Sequence, residues 1–205
     1  MKKILYFFLI SCFSFTISSC AKKDGSSDTS TSFWPKQIGT SSNDYGTGVT
    51  VEFSDNIHVS GQSNGGLDGN INSLNDGIFL VKYNSSGTKL WTKQLGIFDN
   101  ESGISMTVDS SDNIYVTGIA SGGLDRNTSS GGEDIVLMKY NSSGIKQWRK
   151  QLGSSSSDFA WDVTVDSSDN IYVTGFINGS LDGQFNQESN YDIFLVKYNS
   201  DGVKQ

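Results

Sequence analysis

Val108 to Gly118 reads VDSSDNIYVTG, and the same eleven residues return unchanged from Val165 to Gly175. A looser copy, VEFSDNIHVSG, runs from Val51 to Gly61, so the three copies stand 57 residues apart. Valines and Ile-Tyr-Val supply β propensity on either side of a Ser-Asp-Asn turn that lets the backbone reverse. The stretch therefore predicts two short strands forming a hairpin.

Working outward, other residues keep the same period. Trp34, Trp91 and Trp148 are 57 apart, as are Gly39, Gly96 and Gly153, and Leu67, Leu124 and Leu181. Lys82-Tyr83, Lys139-Tyr140 and Lys197-Tyr198 follow at 57 and then 58, which places one inserted residue between Asp182 and Asp192. A fixed period over three units marks a repeat architecture. The middle unit resolves into four strand-like runs, Ile104 to Asp109 (A), Asn113 to Ile119 (B), Asp134 to Asn141 (C) and Ile145 to Leu152 (D). The A to B and C to D turns are short enough for antiparallel hairpins, and B to C is a longer glycine-rich loop. Four antiparallel strands per unit predict an all-β chain of three propeller blades, at about 34–90, 91–147 and 148–205.

Charge supports this strand order. Ten of the thirteen basic residues beyond Lys3 fall on C or D segments. Lysine on an outer strand discourages edge-to-edge pairing, so D is expected at the rim of each blade and the Val/Met-Thr pattern of A innermost. Trp34, Trp91 and Trp148, one per D segment, are expected to pack against a neighbouring blade.

Ahead of the repeats, Lys2 and Lys3 precede an apolar run from Ile4 to Ile17 that closes on Ile17-Ser18-Ser19-Cys20. A cysteine directly after such a segment is the lipobox pattern, which predicts a signal peptide over 1–19 and a lipid on Cys20. The apolar run is shorter than the roughly 20 residues a spanning helix needs. AKKDGSSDTSTS, from Ala21 to Ser32, reads as a polar tether after the lipidated cysteine. The expected address is a bacterial cell envelope, at the outer membrane or cell surface. With Cys12 in the signal and Cys20 acylated, no thiol remains for a disulfide, a zinc site or nucleophilic catalysis. Removing the two lysines takes the formal charge from −7 to −9, and nucleic acid demands the opposite sign.

Trp-x-Lys-Gln-Leu-Gly, the VDSSDNIYVTG hairpin, Gly-x-Leu-Asp-Gly and Asp-Ile-Phe-Leu-Val-Lys-Tyr-Asn-Ser-Ser-Gly together resemble the SBBP-type β-propeller repeat of exported bacterial proteins, named for a seven-bladed propeller. The resemblance spans Phe33 to Gln205 and implies the fold, but it carries no catalytic residues. Three units fall short of a closed ring, which takes about four to eight blades. Two explanations stand open: an interrupted reading frame, a fragment without independent function, or self-association in which the Trp34 D strand of one copy completes the third blade of another.

Strand alternation puts the A to B and C to D turns at one end of the blades and the longer B to C and D to A connections at the other. Binding residues favour such loops. Asp44, Glu101 and Asp158 hold equivalent positions before strand A, and Asp68, Asp125 and Asp182 after strand B. Asp76, Glu133, Asp134, Glu188 and Asp192 join them, with Arg126 as the one basic residue in these loops. Such carboxylates suit Ca²⁺, a hard cation, or a basic partner; alternatively each aspartate caps its own loop. His58, alone of its kind, stands where the other copies have tyrosine, and no nucleophile elbow, phosphate loop or HExxH helix occurs. The expectation is a membrane-anchored propeller that binds a protein or glycan without catalysis. The alternative is a calcium-dependent carbohydrate-active or glycan-binding propeller.

Overall fold

The computed structural model describes residues 34–69, 77–94, 102–122, 131–181 and 190–205, all within the compact unit Ser32–Gln205. The signal, Cys20 and the tether lie outside the described residues. Eleven strands form three antiparallel sheets. β1 (Asp44–Val51), β2 (Ile57–Ser63), β3 (Gly77–Tyr83) and β4 (Lys89–Gln94) make the first blade. The second holds β5 (Ser102–Val108), β6 (Ile114–Ser121), β7 (Glu133–Tyr140) and β8 (Lys146–Leu152). The third holds β9 (Phe159–Val165), β10 (Ile171–Ile177) and β11 (Asp192–Tyr198). Strands pair in sequence order in every sheet, so the D strands β4 and β8 lie at sheet edges. The A strands pack beside one another, β1 against β5 and β5 against β9, at the inner side of the blades.

The opening tryptophan segment departs from the expected D strand: residues 34–40 form no strand. Among the described residues no C strand lies beside it to supply ladder hydrogen bonds. Its side chains nevertheless take the places of a D strand. Trp34 lies over Gly87 as Trp91 lies over Gly144 and Trp148 over Gly202, each ring within 3.1–3.3 Å of where a Cβ would stand. Ile38 packs on the first blade beside Phe79, Val81 and Tyr83. These turn glycines have φ of 72–75°, left-handed backbone that only glycine takes at no cost.

The last glycine of the hairpin repeat has its own cause. In each blade strand A carries a bulge, at Thr47, Ile104 and Trp161, opposite Gly61, Gly118 and Gly175 of strand B. A bulge deepens twist by pushing one residue out of the ladder. It drives the carbonyl of Tyr45 onto Gly61 and that of Phe159 onto Gly175, and a methyl group at either glycine would run into that oxygen. Gly175→Ala is expected to cost about 1–3 kcal/mol through forced backbone shifts. Urea unfolding of the variant against the parent checks it.

The core lies between blades. Ile78 and Leu80 of β3 meet Ile114, Val116, Val136 and Met138 of the second blade. Ile135 and Leu137, on the other face of β7, meet Ile171, Val173 and Val196 of the third. The C strands β3 and β7 are buried on both faces, which is why they read as unbroken apolar runs instead of alternating.

Candidate functional site

At the hairpin end, the first acidic residue of each repeat anchors its turn. Asp109 accepts hydrogen bonds from the backbone N–H groups of Ser111 and Asn113, from Asn113 Nδ2 and from Tyr115 OH at 2.9 Å. Lys139 lies 3.8 Å from its carboxylate. Asp166 repeats this with Ser168, Asn170 and Tyr172. In the first blade the pair changes together: Glu52, one methylene longer, meets the shorter imidazole of His58 at 2.7 Å and Lys82 Nζ at 2.7 Å. All three side chains are buried.

The second aspartate of the repeat fastens blade to blade. Asp55, Asp112 and Asp169 take φ of 59–62°, a left-handed conformation that aspartate tolerates in turns. Asp169 accepts from the N–H of Ser110 at 3.0 Å and from its hydroxyl at 2.8 Å, and Asp112 from the N–H of Phe53 at 3.2 Å. Lys82 and Lys139 reach across the same junctions to the carbonyls of Ser142 and Ser200, both at 3.1 Å. This blade-to-blade role is invisible in a single repeat. Comparing turns 59 residues apart is what exposes it.

Burial raises the Glu52 carboxyl, but hydrogen bonds from Lys82, His58, Asn56 and Ser54 outweigh it and hold the group at about 2. Burial pushes the His58 imidazole below its ordinary value, keeping it neutral. Hydrogen bonds from Asn170 and Ser168 hold Asp166 at about 2 as well. Each group lies below its unfolded value, so each stabilises the fold above that value and loses its contribution as pH falls. The thermal midpoint is therefore expected to fall as pH drops below about 6.5 through His58, and more steeply between about pH 4.5 and 2 through Glu52 and Asp166. A Glu52→Asp, His58→Tyr double variant, which rebuilds the other blades' arrangement, should flatten the upper segment.

At the loop end, Asp44, Asp158 and Asp68 hold their own loops. Asp44 accepts from the Thr40 N–H at 2.6 Å and from Ser63 Oγ at 2.6 Å. Asp158 accepts from the Ser154 N–H, from Ser154 Oγ at 2.9 Å and from the Asn178 N–H at 3.1 Å. Both tie the approach to strand A to the exit of strand B. Asp68, at φ 53° in the 3-10 turn Leu67–Gly69, pairs with Lys89 at 2.6 Å and accepts from Thr92, pinning the loop to strand D. Asp134 is buried and accepts from Gln151 Nε2 at 2.7 Å. Glu101, Asp125, Asp182, Asp76, Glu188 and Arg126 lie outside the described residues. Among the described residues, no three His, Cys, Asp or Glu side chains converge on one point, and no helix is long and apolar enough to cross a membrane.

Repeated four-strand antiparallel units that bury their core between neighbours, fastened by one recurring hairpin, define a β-propeller repeat protein. The chain belongs to the SBBP β-propeller repeat family, whose model matches residues 34–68, 90–125 and 147–182, more than half of its length. It is 30% identical over 138 residues to the regulatory protein FlaEY of Caulobacter vibrioides, a match covering 62% of this chain and 14% of that protein. It is also 26% identical over 154 residues to an uncharacterized WD repeat-containing protein of Acanthamoeba polyphaga mimivirus, covering 57% of this chain and 11% of that one. The chain thus spans only a small part of both relatives.

Proposed function

We propose that the protein is a lipid-anchored scaffold of the cell envelope that holds a protein or glycan at the loop end of its blades and catalyses no reaction. The observation that carries this reading is the difference between the two ends. Hairpin-end aspartates and lysines are committed to joining blades, whereas loops on a rigid scaffold are free to differ and to bind. The loop sequences carry many carboxylates against the single Arg126, a charge balance that favours a basic partner. The bacterial relative's description as a regulatory protein agrees with action by binding.

An oligolysine peptide and a glycan array, offered to the full chain, test the reading. The expected result is peptide binding that weakens with salt and drops when Asp76, Glu101, Asp125, Asp182 and Glu188 are neutralised together, or capture of a glycan without turnover. Failure of both probes contradicts the reading, and hydrolysis of a glycan replaces it with the carbohydrate-active alternative. A calcium-dependent rise in the thermal midpoint would add a metal to the loop end. The anchor is tested separately, since Cys20→Ser should release the protein from membranes.

A further inference from the structure

We propose that the junction between the first and second blades is an acid-sensitive latch, in which protonation of His58 loosens that junction and leaves the one between the second and third blades closed. The inference goes beyond the ligand-holding role and does not rest on it.

The latch is built around one imidazole. His58 is the only histidine in the chain, and histidine is the side chain whose ordinary value puts its charge change between about pH 5 and 8. The side chain is fully buried, its ring 5.5 Å from that of Trp91. Nε2 lies 2.7 Å from Glu52 Oε1, and an ionised carboxylate can only accept, so Nε2 carries the proton and Nδ1 the lone pair. Nδ1 has no hydrogen-bond partner among the described residues. An incoming proton therefore lands on Nδ1 and makes it a buried donor with nothing to receive it.

Glu52 has no capacity left for that charge. Its Oε1 already accepts from Lys82 Nζ at 2.7 Å, and its Oε2 from Asn56 Nδ2 at 2.7 Å and Ser54 Oγ at 2.9 Å. Around the ring, the charged groups are Glu52 from its own hairpin turn, Lys82 from β3 and Asp112 from the second blade's turn. Thr50 of β1 and Trp91 of β4 bring no charge. Imidazolium and ammonium would share one oxygen, two buried cations against one carboxylate, and such a site is stable only when every charge is paired.

The same neighbourhood makes the junction. Lys82 Nζ also donates to the carbonyl of Ser142 in the second blade at 3.1 Å, and Trp91 stands over Gly144 in the same turn. The N–H of Phe53, next to Glu52, donates to Asp112 at 3.2 Å. Admitting water to Nδ1, or moving the ammonium off the shared oxygen, pulls on all three contacts at once. The second junction has the same outline, with Lys139 Nζ donating to the Ser200 carbonyl at 3.1 Å. There the partner of Asp109 is Tyr115, whose hydroxyl donates at 2.9 Å and gains no charge on acidification. The two junctions thus differ at the one group that titrates.

NMR of the isotopically labelled full chain in a nonionic detergent, from about pH 7.5 to about pH 5, tests the proposal, with amide exchange corrected for its intrinsic pH dependence. Opening at the Phe53 N–H should rise as pH falls below about 6.5, by up to about tenfold per pH unit for one coupled proton, and the Trp91 indole resonance should move with it. The Ser110 N–H, which donates to Asp169 at 3.0 Å across the second junction, should keep its protection throughout this range. His58→Gln keeps a donor for Glu52 but cannot titrate, so it should abolish the rise. Should that variant fail to fold, the Glu52→Asp, His58→Tyr double variant rebuilds the second blade's arrangement and should abolish it too. A first junction indifferent to pH, equal opening at both junctions, or a rise that survives either replacement of His58 overturns the proposal.

Discussion

Glu52→Ala is expected to lower stability by about 3–5 kcal/mol, the cost of removing one partner from a buried ion pair. The carboxylate is the shared acceptor for Lys82 Nζ and His58 Nε2, both at 2.7 Å, and for Asn56 Nδ2, also at 2.7 Å. Its loss leaves the Lys82 ammonium, among the described residues, with only the Ser142 carbonyl, and leaves a buried imidazole whose Nδ1 already has no hydrogen-bond partner among them. A Glu52→Ala, Lys82→Met double variant removes both charges and should regain a large part of the loss, which a purely steric effect would not. Urea midpoints at neutral pH measure all three proteins.

The second large effect concerns the tryptophans. Trp148 packs against the core shared by the second and third blades, its ring 6.0 Å from that of Tyr115, and its Nε1 donates to Ser200 O at 3.4 Å. Trp91 holds the matching place over Gly144, with its ring 5.5 Å from His58. Trp148→Ala and Trp91→Ala are each expected to cost about 3 kcal/mol or more, because an aromatic ring leaves a junction that cannot collapse. Trp34 has the same sequence position but is 49% exposed, and Trp34→Ala should stay within about 1 kcal/mol. Equal losses at all three positions would mean that the tryptophan serves its own strand and not the junction.

Much of the blade was legible from one chain because three copies of it are present. The period of Trp34, Trp91 and Trp148 set the unit, and the middle blade's four strands fall within two residues of where β propensity and turns placed them. Strand order followed from lysine placement, since an edge strand must repel other edges. Sequence reading went less far where a residue serves a neighbour at long range. Asp112 and Asp169 look like turn residues, and only folding brings them to the preceding blade's turn. The exchange of Asp109–Tyr115 for Glu52–His58 was visible as two separate substitutions, but the compensating lengths of the side chains became meaningful only when the pair was seen in contact. Residues 34–40 misled because a D-strand sequence forms a strand only beside a C strand.

The repeated hairpin offers the most direct test of the account. VDSSDNIYVTG occurs twice with identical intrinsic exchange chemistry, so any difference in amide protection comes from the blades around it. In the middle blade Tyr115 and Thr117 are fully buried by a following blade, whereas Tyr172 and Thr174 face the uncovered side of the third. Hydrogen exchange followed by NMR should show Ile114–Gly118 exchanging more slowly than Ile171–Gly175. Equal protection of the two segments would contradict a fold whose stability resides in the junctions between blades.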